Sequence, residues 1–216
     1  MKVLIVHAHE NPESFCSALA EKARTFFSSR GDDEANISNL YLKGFNPTGG
    51  KHDFKVLSDA PYYKYAVEQL KAHQSDAFES DLMTEMELLV EADVLIFNFP
   101  LWWFGMPAIL KGWVDRVLAY GFAYGGDYGM GPNGRFKGKK AFLCVTTGSP
   151  AEFYQKSGVH GRTLDDILRN IKQGVLALVG YEVLPSFAAF GVSRITKEAR
   201  EQILTEYETY LGEAFP

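Results

Sequence analysis

Residues 2–7 read KVLIVH, an unbroken apolar run rich in β-branched side chains. Such a run is typical of a parallel strand that is covered on both faces. Four further runs of this kind follow, at 35–42, 94–99, 141–146 and 181–190. Segments with apolar residues at helical spacing lie between the runs. This alternation of strands and helices predicts a parallel sheet with helices on both faces.

The predicted helices have recognisable beginnings. Ser14 and Thr163 are candidate N-caps, and Pro107 is well placed to open a helix that continues to residue 120. Further helices are predicted at 81–92 and from Thr196 to the end of the chain. Five strands in about 190 residues fit the flavodoxin-like strand order 2-1-3-4-5 better than a six-stranded dinucleotide-binding fold.

Composition narrows the classes of function. The chain has 216 residues, and its 22 basic and 27 acidic side chains give a net charge of −5. We expect a single domain over 1–216, no nucleic-acid partner and no membrane insertion, since both a basic patch and a long apolar span are missing from the sequence. Met1 and Lys2 lead directly into the first strand, and two cysteines make no disulfide framework, so a cytoplasmic location is expected.

Ligands of open parallel sheets bind beyond the carboxyl ends of the strands. The first strand is followed by residues 7–15, HAHENPESF, which lead into a helix N-terminus. Free N–H groups and the helix dipole favour a phosphate there, and Ser14 adds a hydroxyl donor. An ordinary strand–helix turn with a serine cap is the alternative. Neither G-x-G-x-x-G nor G-x-x-x-x-G-K-[ST] occurs in the sequence.

His7 and His9 stand two residues apart and would share one face of a strand. Two such imidazoles are compatible with metal binding. No cysteine or carboxylate cluster accompanies them in the sequence, so no metal site is expected.

The third strand ends at residues 100–107, PLWWFGMP, with three adjacent aromatic side chains. A loop should not present so much apolar surface to water, so a planar ligand or a partner subunit is expected to cover it. Burial within the core is the alternative.

The fourth strand ends at 146–149, TTGS, whose small residues let main-chain amides approach a ligand closely. Tyr154 and His160 follow on what reads as a loop, and both can hold or deliver a proton near a redox ring, although a lone loop histidine is more often solvated. Together the three ends describe a phosphate seat, an aromatic floor and a donor-lined edge. A flavin needs these three features.

The chain resembles the NAD(P)H:quinone oxidoreductase (DT-diaphorase) family of flavodoxin-like flavoenzymes. The most specific matching stretch is FPLWWFGMPAILKGW at 99–113. Other matching pieces occur in the family's order and cover nearly the whole chain. They are Ala8-His9, Ser14-Phe15, Asn39-Leu40-Tyr41, Phe45-Asn46-Pro47, Phe122-Ala123-Tyr124, Thr146-Thr147-Gly148, Tyr154, Gly158-Val159-His160-Gly161 and Ala199-Arg200.

The resemblance implies a homodimer that binds one flavin per subunit at the dimer interface. It assigns flavin contacts to His9, Ser14, Phe15, Cys16, Pro100, Leu101, Trp102, Trp103, Phe104, Thr146, Thr147, Gly148, Ser149, Tyr154 and Arg200. It assigns catalysis to Tyr154 and His160, and the walls of the substrate pocket to Tyr124, Tyr128 and Leu178. Where family members carry Tyr-Thr-Tyr, this chain has Tyr124-Gly125-Gly126, so the second tyrosine is either missing or replaced by Tyr128.

The implied activity is the two-electron reduction of quinones by NAD(P)H, in a ping-pong cycle of hydride transfer through the flavin. FAD is expected rather than FMN, because the segments 44–59 and 62–73 match the family's insert near the adenine half and because of Arg200. Three alternatives stay open. They are a regulatory flavoprotein subunit of a potassium-efflux system, a reductase of azo or nitro compounds, and a single-electron carrier.

Overall fold

A parallel sheet forms the centre of the protein, in a computed structural model that describes residues 1–58 and 61–216. Its strands are β1 (Lys2–His7), β2 (Glu34–Asn39), β3 (Val94–Pro100), β4 (Lys140–Thr146), β5 (Glu182–Val183) and β6 (Phe187–Ala189). The order is β2-β1-β3-β4-β5, with β6 also paired to β4. This confirms the strand order predicted from the sequence.

The predicted fifth strand, 181–190, is two short strands instead of one. β5 pairs with the start of β4 and β6 pairs with its end. Pro185 lies between them and has no N–H group to donate to β4, so the ladder is interrupted there.

The helices are α1 (Phe15–Ser28), α2 (Tyr65–Gln74), α3 (Ser80–Glu91), α4 (Ala108–Val117), α5 (Leu164–Ile171) and α6 (Lys197–Ala214). The predicted caps are confirmed: the hydroxyls of Ser14, Thr163 and Thr196 each accept an N–H of the helix that follows. α4 ends three residues earlier than predicted, and α5 continues as a π-helical segment, Lys172–Ala177. No helix in the described ranges has the length and apolarity that crossing a membrane requires.

The sequence analysis did not predict α2, because its buried side is polar. Glu68 and Gln69 are both buried, so apolar residues do not recur at helical spacing. Glu68 accepts the N–H of Ser58, and Gln69 accepts the N–H of Tyr120. These hydrogen bonds replace apolar packing as the reason for the helix to stay in place.

Helices cover both faces of the sheet, as predicted. Alternate strand residues point to opposite faces: Leu4 and Phe97 pack on the side of α3 and α4, whereas Ile5 and Ile96 pack on the side of α1 and α6. Both sets of side chains are almost fully buried. This two-sided burial explains why the strands read as continuous apolar runs.

A buried arginine ties the segment after β2 to α4. Arg116 donates to the carboxylate of Asp53 at 3.0 and 2.8 Å, to the carbonyl of Asn46 at 2.6 Å and to Asp81 at 3.2 Å. Its side chain is only 1% exposed, so these partners stabilise a charge that has no water around it. The predicted loop 44–59 contains one short 3₁₀ turn at Lys51–Asp53, and its last residue lies outside the described part of the chain.

The second half of the 99–113 motif serves this anchoring. The indole of Trp113 donates to buried Glu85 at 2.8 Å, and Glu85 also accepts from Ser38. At Gly112 the backbone of α4 lies against Pro47, so close that a Cβ would stand 2.1 Å from the Pro47 carbonyl oxygen. These motif residues therefore hold the fold rather than a ligand.

Gly112→Ala is expected to destabilise the protein by about 2 kcal/mol or more, because the new methyl group must displace backbone. Gly212→Ala is the matched control: Gly212 also lies in a helix, α6, and a Cβ there meets open space. The control should gain roughly 0.5–1 kcal/mol from helix propensity. Urea unfolding of both variants measures the difference, and equal stabilities would contradict the close packing.

Candidate functional site

The carboxyl ends of β1, β3 and β4 meet at one edge of the sheet. The N–H of Ala8 donates to Asn98 at 3.0 Å, and the N–H of Leu101 donates to Thr146 at 2.8 Å. The chain runs from β1 to β2 on one side and from β3 to β4 on the other, so the topological switch point where ligands of such sheets bind lies between β1 and β3.

The N-terminus of α1 offers an anion seat at this edge. The N–H groups of Phe15 and Cys16 have no hydrogen-bond partner in the described part of the chain, and the first turn contains no acidic side chain. Ser14 caps the helix by accepting the N–H of Ser17 at 3.0 Å. Two open amides and the dipole of a 14-residue helix suit a phosphate group.

Cys16 contributes its backbone but not its side chain to this seat. The thiol is buried and points to Asn98 Oδ1 at 3.4 Å. Burial raises the pKa of the Cys16 thiol well above its ordinary value, and it raises the pKa of the Cys144 thiol, on the neighbouring strand β4, to about 12. Both cysteines are free of disulfides.

His7 faces the core, where neutral polar partners hold it. Its Nδ1 lies 2.6 Å from Asn98 Oδ1 and its Nε2 lies 3.1 Å from Ser17 Oγ. Burial lowers the pKa of His7, so the ring is held neutral. The sequence analysis did not single out Asn98, because an asparagine within an apolar run carries no signal of its own.

His9 points toward the ligand edge and lies beside Trp102, with ring centroids 6.5 Å apart. The Nδ1 atom of His9 accepts the N–H of Asn11 at 3.1 Å. Partial burial lowers the pKa of His9, so its neutral ring carries the proton on Nε2 as a donor. Among the described residues, no group of three or more histidine, cysteine or carboxylate side chains is placed to hold a metal ion.

The aromatic loop after β3 is a tight turn with an unusual backbone. The N–H of Trp102 donates to Gly105 at 3.2 Å and that of Gly105 returns to Trp102 at 3.0 Å. Between them, Trp103 and Phe104 have φ values of 49° and 61°. Asparagine and glycine prefer this left-handed region, so two bulky residues here are strained.

The turn displays apolar rings and unpaired amides together. The Trp103 side chain is 97% exposed, while Trp102 and Phe104 are less so. The N–H groups of Trp103 and Phe104 have no hydrogen-bond partner in the ranges that the structure describes. A planar ring with acceptor atoms would satisfy both features.

The loop after β4 presents a second pair of unpaired amides. Thr147 is used by the protein itself: its N–H donates to Ala189 at 2.9 Å and its hydroxyl to Ser149 at 2.7 Å. The N–H groups of Gly148 and Ser149 find no acceptor among the residues described here. A Cβ at Gly148 would meet open space, so a ligand has room there.

A row of aromatic rings joins the two loops. The His160 ring makes edge-to-face contacts with Phe104 and Phe153, with ring centroids 4.3 and 4.9 Å apart. Phe153 also contacts Tyr154. Tyr154 is 8% exposed, and its hydroxyl makes no hydrogen bond to the described residues yet is not fully buried. Tyr154 and His160 therefore share a neighbour but are not hydrogen-bonded to each other.

The predicted substrate-wall residues form a separate cluster. The N–H of Gly131 donates to Leu178 at 2.8 Å, and Arg135 lies over the ring of Tyr128 at 4.7 Å. Tyr124 packs against Tyr120 at 5.6 Å. In the described residues, no hydrogen bond or ring contact joins this cluster to the aromatic turn.

Local packing explains the glycine that follows Tyr124. Gly125 has a φ of 67°, and a Cβ there would lie 2.1 Å from the ring of Tyr120. A threonine, as in the family pattern, does not fit this conformation.

Arg200 is engaged with the protein. Its Nε and Nη2 donate to the carbonyl of Val192 at 3.2 and 2.9 Å, and the N–H of Val192 donates to Thr147 at 3.0 Å. Arg200 thus supports the loop after β4 through Val192.

Comparison with known proteins identifies the family of the chain. A family model described as flavodoxin-like fold matches residues 1–211. A ribosyldihydronicotinamide dehydrogenase [quinone] from Rattus norvegicus is 38% identical over 95% of this chain and 88% of its own length. The chain belongs to the NAD(P)H:quinone oxidoreductase family.

Two further members of this family show how widely it is distributed. An NAD(P)H dehydrogenase [quinone] 1 from Cavia porcellus is 37% identical over 97% of this chain and 76% of its own length. The solved structure of a candidate quinone reductase from Klebsiella pneumoniae is 34% identical, with a TM-score of 0.94, and the match covers 100% of this chain and 85% of that one.

Trp103→Asn is expected to stabilise the ligand-free protein by about 0.5–1 kcal/mol, because asparagine tolerates a positive φ and almost no side-chain burial is lost. Trp102→Asn is the control: its φ is not positive and its ring contacts His9, so it should destabilise. Chemical denaturation of both variants without added cofactor measures the effect. A destabilised Trp103→Asn protein would show that the turn is not strained.

Proposed function

We propose that the protein reduces quinones by two electrons, using NAD(P)H as donor and a bound flavin as carrier. The balanced reaction is NAD(P)H + H⁺ + quinone → NAD(P)⁺ + hydroquinone. Donor and acceptor would occupy one site in turn, as in a ping-pong scheme. The wording of the relatives' names supports the reaction class.

One observation carries the proposal. Unpaired main-chain amides at Trp103, Phe104, Gly148 and Ser149 border the same edge of the sheet as an exposed indole. These residues are exposed or half-buried, so water can accept from the four amides in the free protein and a ligand with acceptor atoms would take its place. A flavin ring, with acceptor atoms along its rim and two apolar faces, is suited to this set.

When bound, the flavin supplies a ring that accepts a hydride and passes it on. The residues of this chain bind and orient it. The amides of Phe15 and Cys16 would hold its phosphate, and the neutral His9 would add an Nε2 donor beside them. The amides of Gly148 and Ser149 would stabilise negative charge at the ring edge, each by roughly 2–4 kcal/mol.

The proton that the reaction consumes would come from the aromatic row. The Tyr154 hydroxyl is unpaired and reaches accessible space, so it is available as a donor. His160 lies against Phe104 and is the second titratable group of the pocket. Because the two side chains are not hydrogen-bonded to each other, each would act on its own.

A second subunit would complete the pocket. Trp103 is almost fully exposed, and among the described residues Tyr128 and Leu178 make no hydrogen bond or ring contact with the turn of the same subunit. A homodimer in which each Tyr128–Leu178 cluster faces the partner's turn accounts for both facts. The apolar surface is then covered on assembly.

Tyr154→Phe and His160→Gln are each expected to lower kcat for quinone reduction by about 10²-fold, since general acid catalysis contributes at least that much. Tyr210→Phe is the matched control: it removes the same hydroxyl from α6, where that hydroxyl donates to the carbonyl of Pro185, and it should keep the wild-type rate. Stopped-flow and steady-state assays with NADH and NADPH measure the rates. If both site variants react as fast as wild type with flavin bound, the assigned roles are wrong.

The expected cofactor is FAD, because the segments 44–59 and 62–73 match the family's insert near the adenine half and Arg116 anchors the first of them. Denaturing the purified protein and weighing the released flavin by mass spectrometry tests this. FMN would contradict the assignment to FAD but not to a flavin. A protein that holds and takes up no flavin would contradict the proposed function itself.

A further inference from the structure

A cavity of about 690 Å³ opens beside the contact between Phe104 and His160. Both rings line it. The other lining residues follow His160 in sequence or belong to α5, and they are Arg162, Asp166, Ile167, Arg169 and Asn170. Because Phe104 is part of the aromatic turn, this Arg162 cavity adjoins the proposed ring site.

The cavity is cationic in a chain that is acidic overall. Arg162 and Arg169 both line it, and Asp166 is the only acidic side chain among its lining residues. The chain as a whole carries a net charge of −5. The two guanidinium groups that line this cavity therefore do not follow from the composition of the chain as a whole.

The single carboxylate does not neutralise the cavity. Asp166 Oδ2 is occupied by the N–H and hydroxyl of Thr163, at 3.2 and 2.8 Å, as part of the cap of α5. Its contact with Arg169 is loose, at 4.0 Å. Arg162 forms no ion pair with any described residue. Donors on both arginines thus stay available.

We propose that the Arg162 cavity binds the anionic substituent of a substrate whose planar ring enters the site beside the aromatic turn. The inference rests on the proposed function, because it needs the ring site to be occupied. A phosphate, carboxylate or sulfonate group fits, since guanidinium offers paired donors to such oxyanions. The anion has two sources: the phosphate of the nicotinamide donor, or an acid group on the acceptor.

Matched substrate pairs separate the two sources. Dihydronicotinamide mononucleotide is compared with the uncharged dihydronicotinamide riboside as donor. The 4-sulfonate of 1,2-naphthoquinone is compared with uncharged 1,2-naphthoquinone as acceptor. The variants are Arg162→Gln and Arg169→Gln, with Arg162→Lys as the conservative change. Arg24→Gln, on the exposed face of α1, removes the same charge elsewhere and serves as control.

The charged member of at least one pair should show a KM raised tenfold or more in both glutamine variants. The neutral member should stay within twofold, kcat should be little changed, and Arg162→Lys should recover part of the loss. Arg24→Gln should leave all KM values within twofold. The pair that responds identifies the source of the anion.

A binding measurement adds a readout without turnover. Wild-type protein should bind 2-naphthalenesulfonate in calorimetry, and the two glutamine variants should bind it at least fivefold more weakly. Equal effects on charged and neutral substrates, or unaltered sulfonate binding, would overturn the inference while leaving quinone reduction intact. Absence of quinone reduction with every donor would instead overturn the proposed function.

Discussion

The position of β3 between β1 and β4 is the constraint on which the site depends. The main-chain hydrogen bonds that join β3 to β1 and to β4 fix where the loops after these three strands begin. The starts of neighbouring loops are therefore one strand spacing apart. The anion seat, the aromatic turn and the loop after β4 then lie along one edge without needing direct contacts between all of them. The hydrogen bonds of Arg116 and Trp113 hold α4 in place. Because α4 follows the aromatic turn directly, these bonds also fix the C-terminal end of the turn.

The aromatic turn holds two residues in a backbone conformation that their residue types disfavour. Trp103 and Phe104 occupy a backbone region that suits asparagine and glycine, and Trp103 buries almost no surface in return. The flanking hydrogen bonds of Trp102 and Gly105 hold the conformation. The strained conformation leaves two amides without a protein partner among the described residues and the Trp103 ring exposed, where a ligand could contact them.

The apolar runs predicted the sheet order, because strands covered on both faces leave a clear pattern. The prediction of one continuous fifth strand was wrong, because Pro185 interrupts it. The helix α2 was not predicted, because its buried residues are the polar Glu68 and Gln69. The apolar runs also predicted where the three strands that border the site end. It could not show that the thiol of Cys16 turns inward, because side-chain direction at a helix start depends on packing across the sheet.

The burial of Cys16 and Cys144 has a chemical consequence for an enzyme that handles quinones. Quinones are soft electrophiles that undergo Michael addition with thiolates, and a thiol must ionise and be reached before it can add. Both cysteines are buried, and desolvation holds the pKa of each thiol above its usual range. Neither thiol is therefore available for arylation by the quinones that the proposed activity would bring to the site.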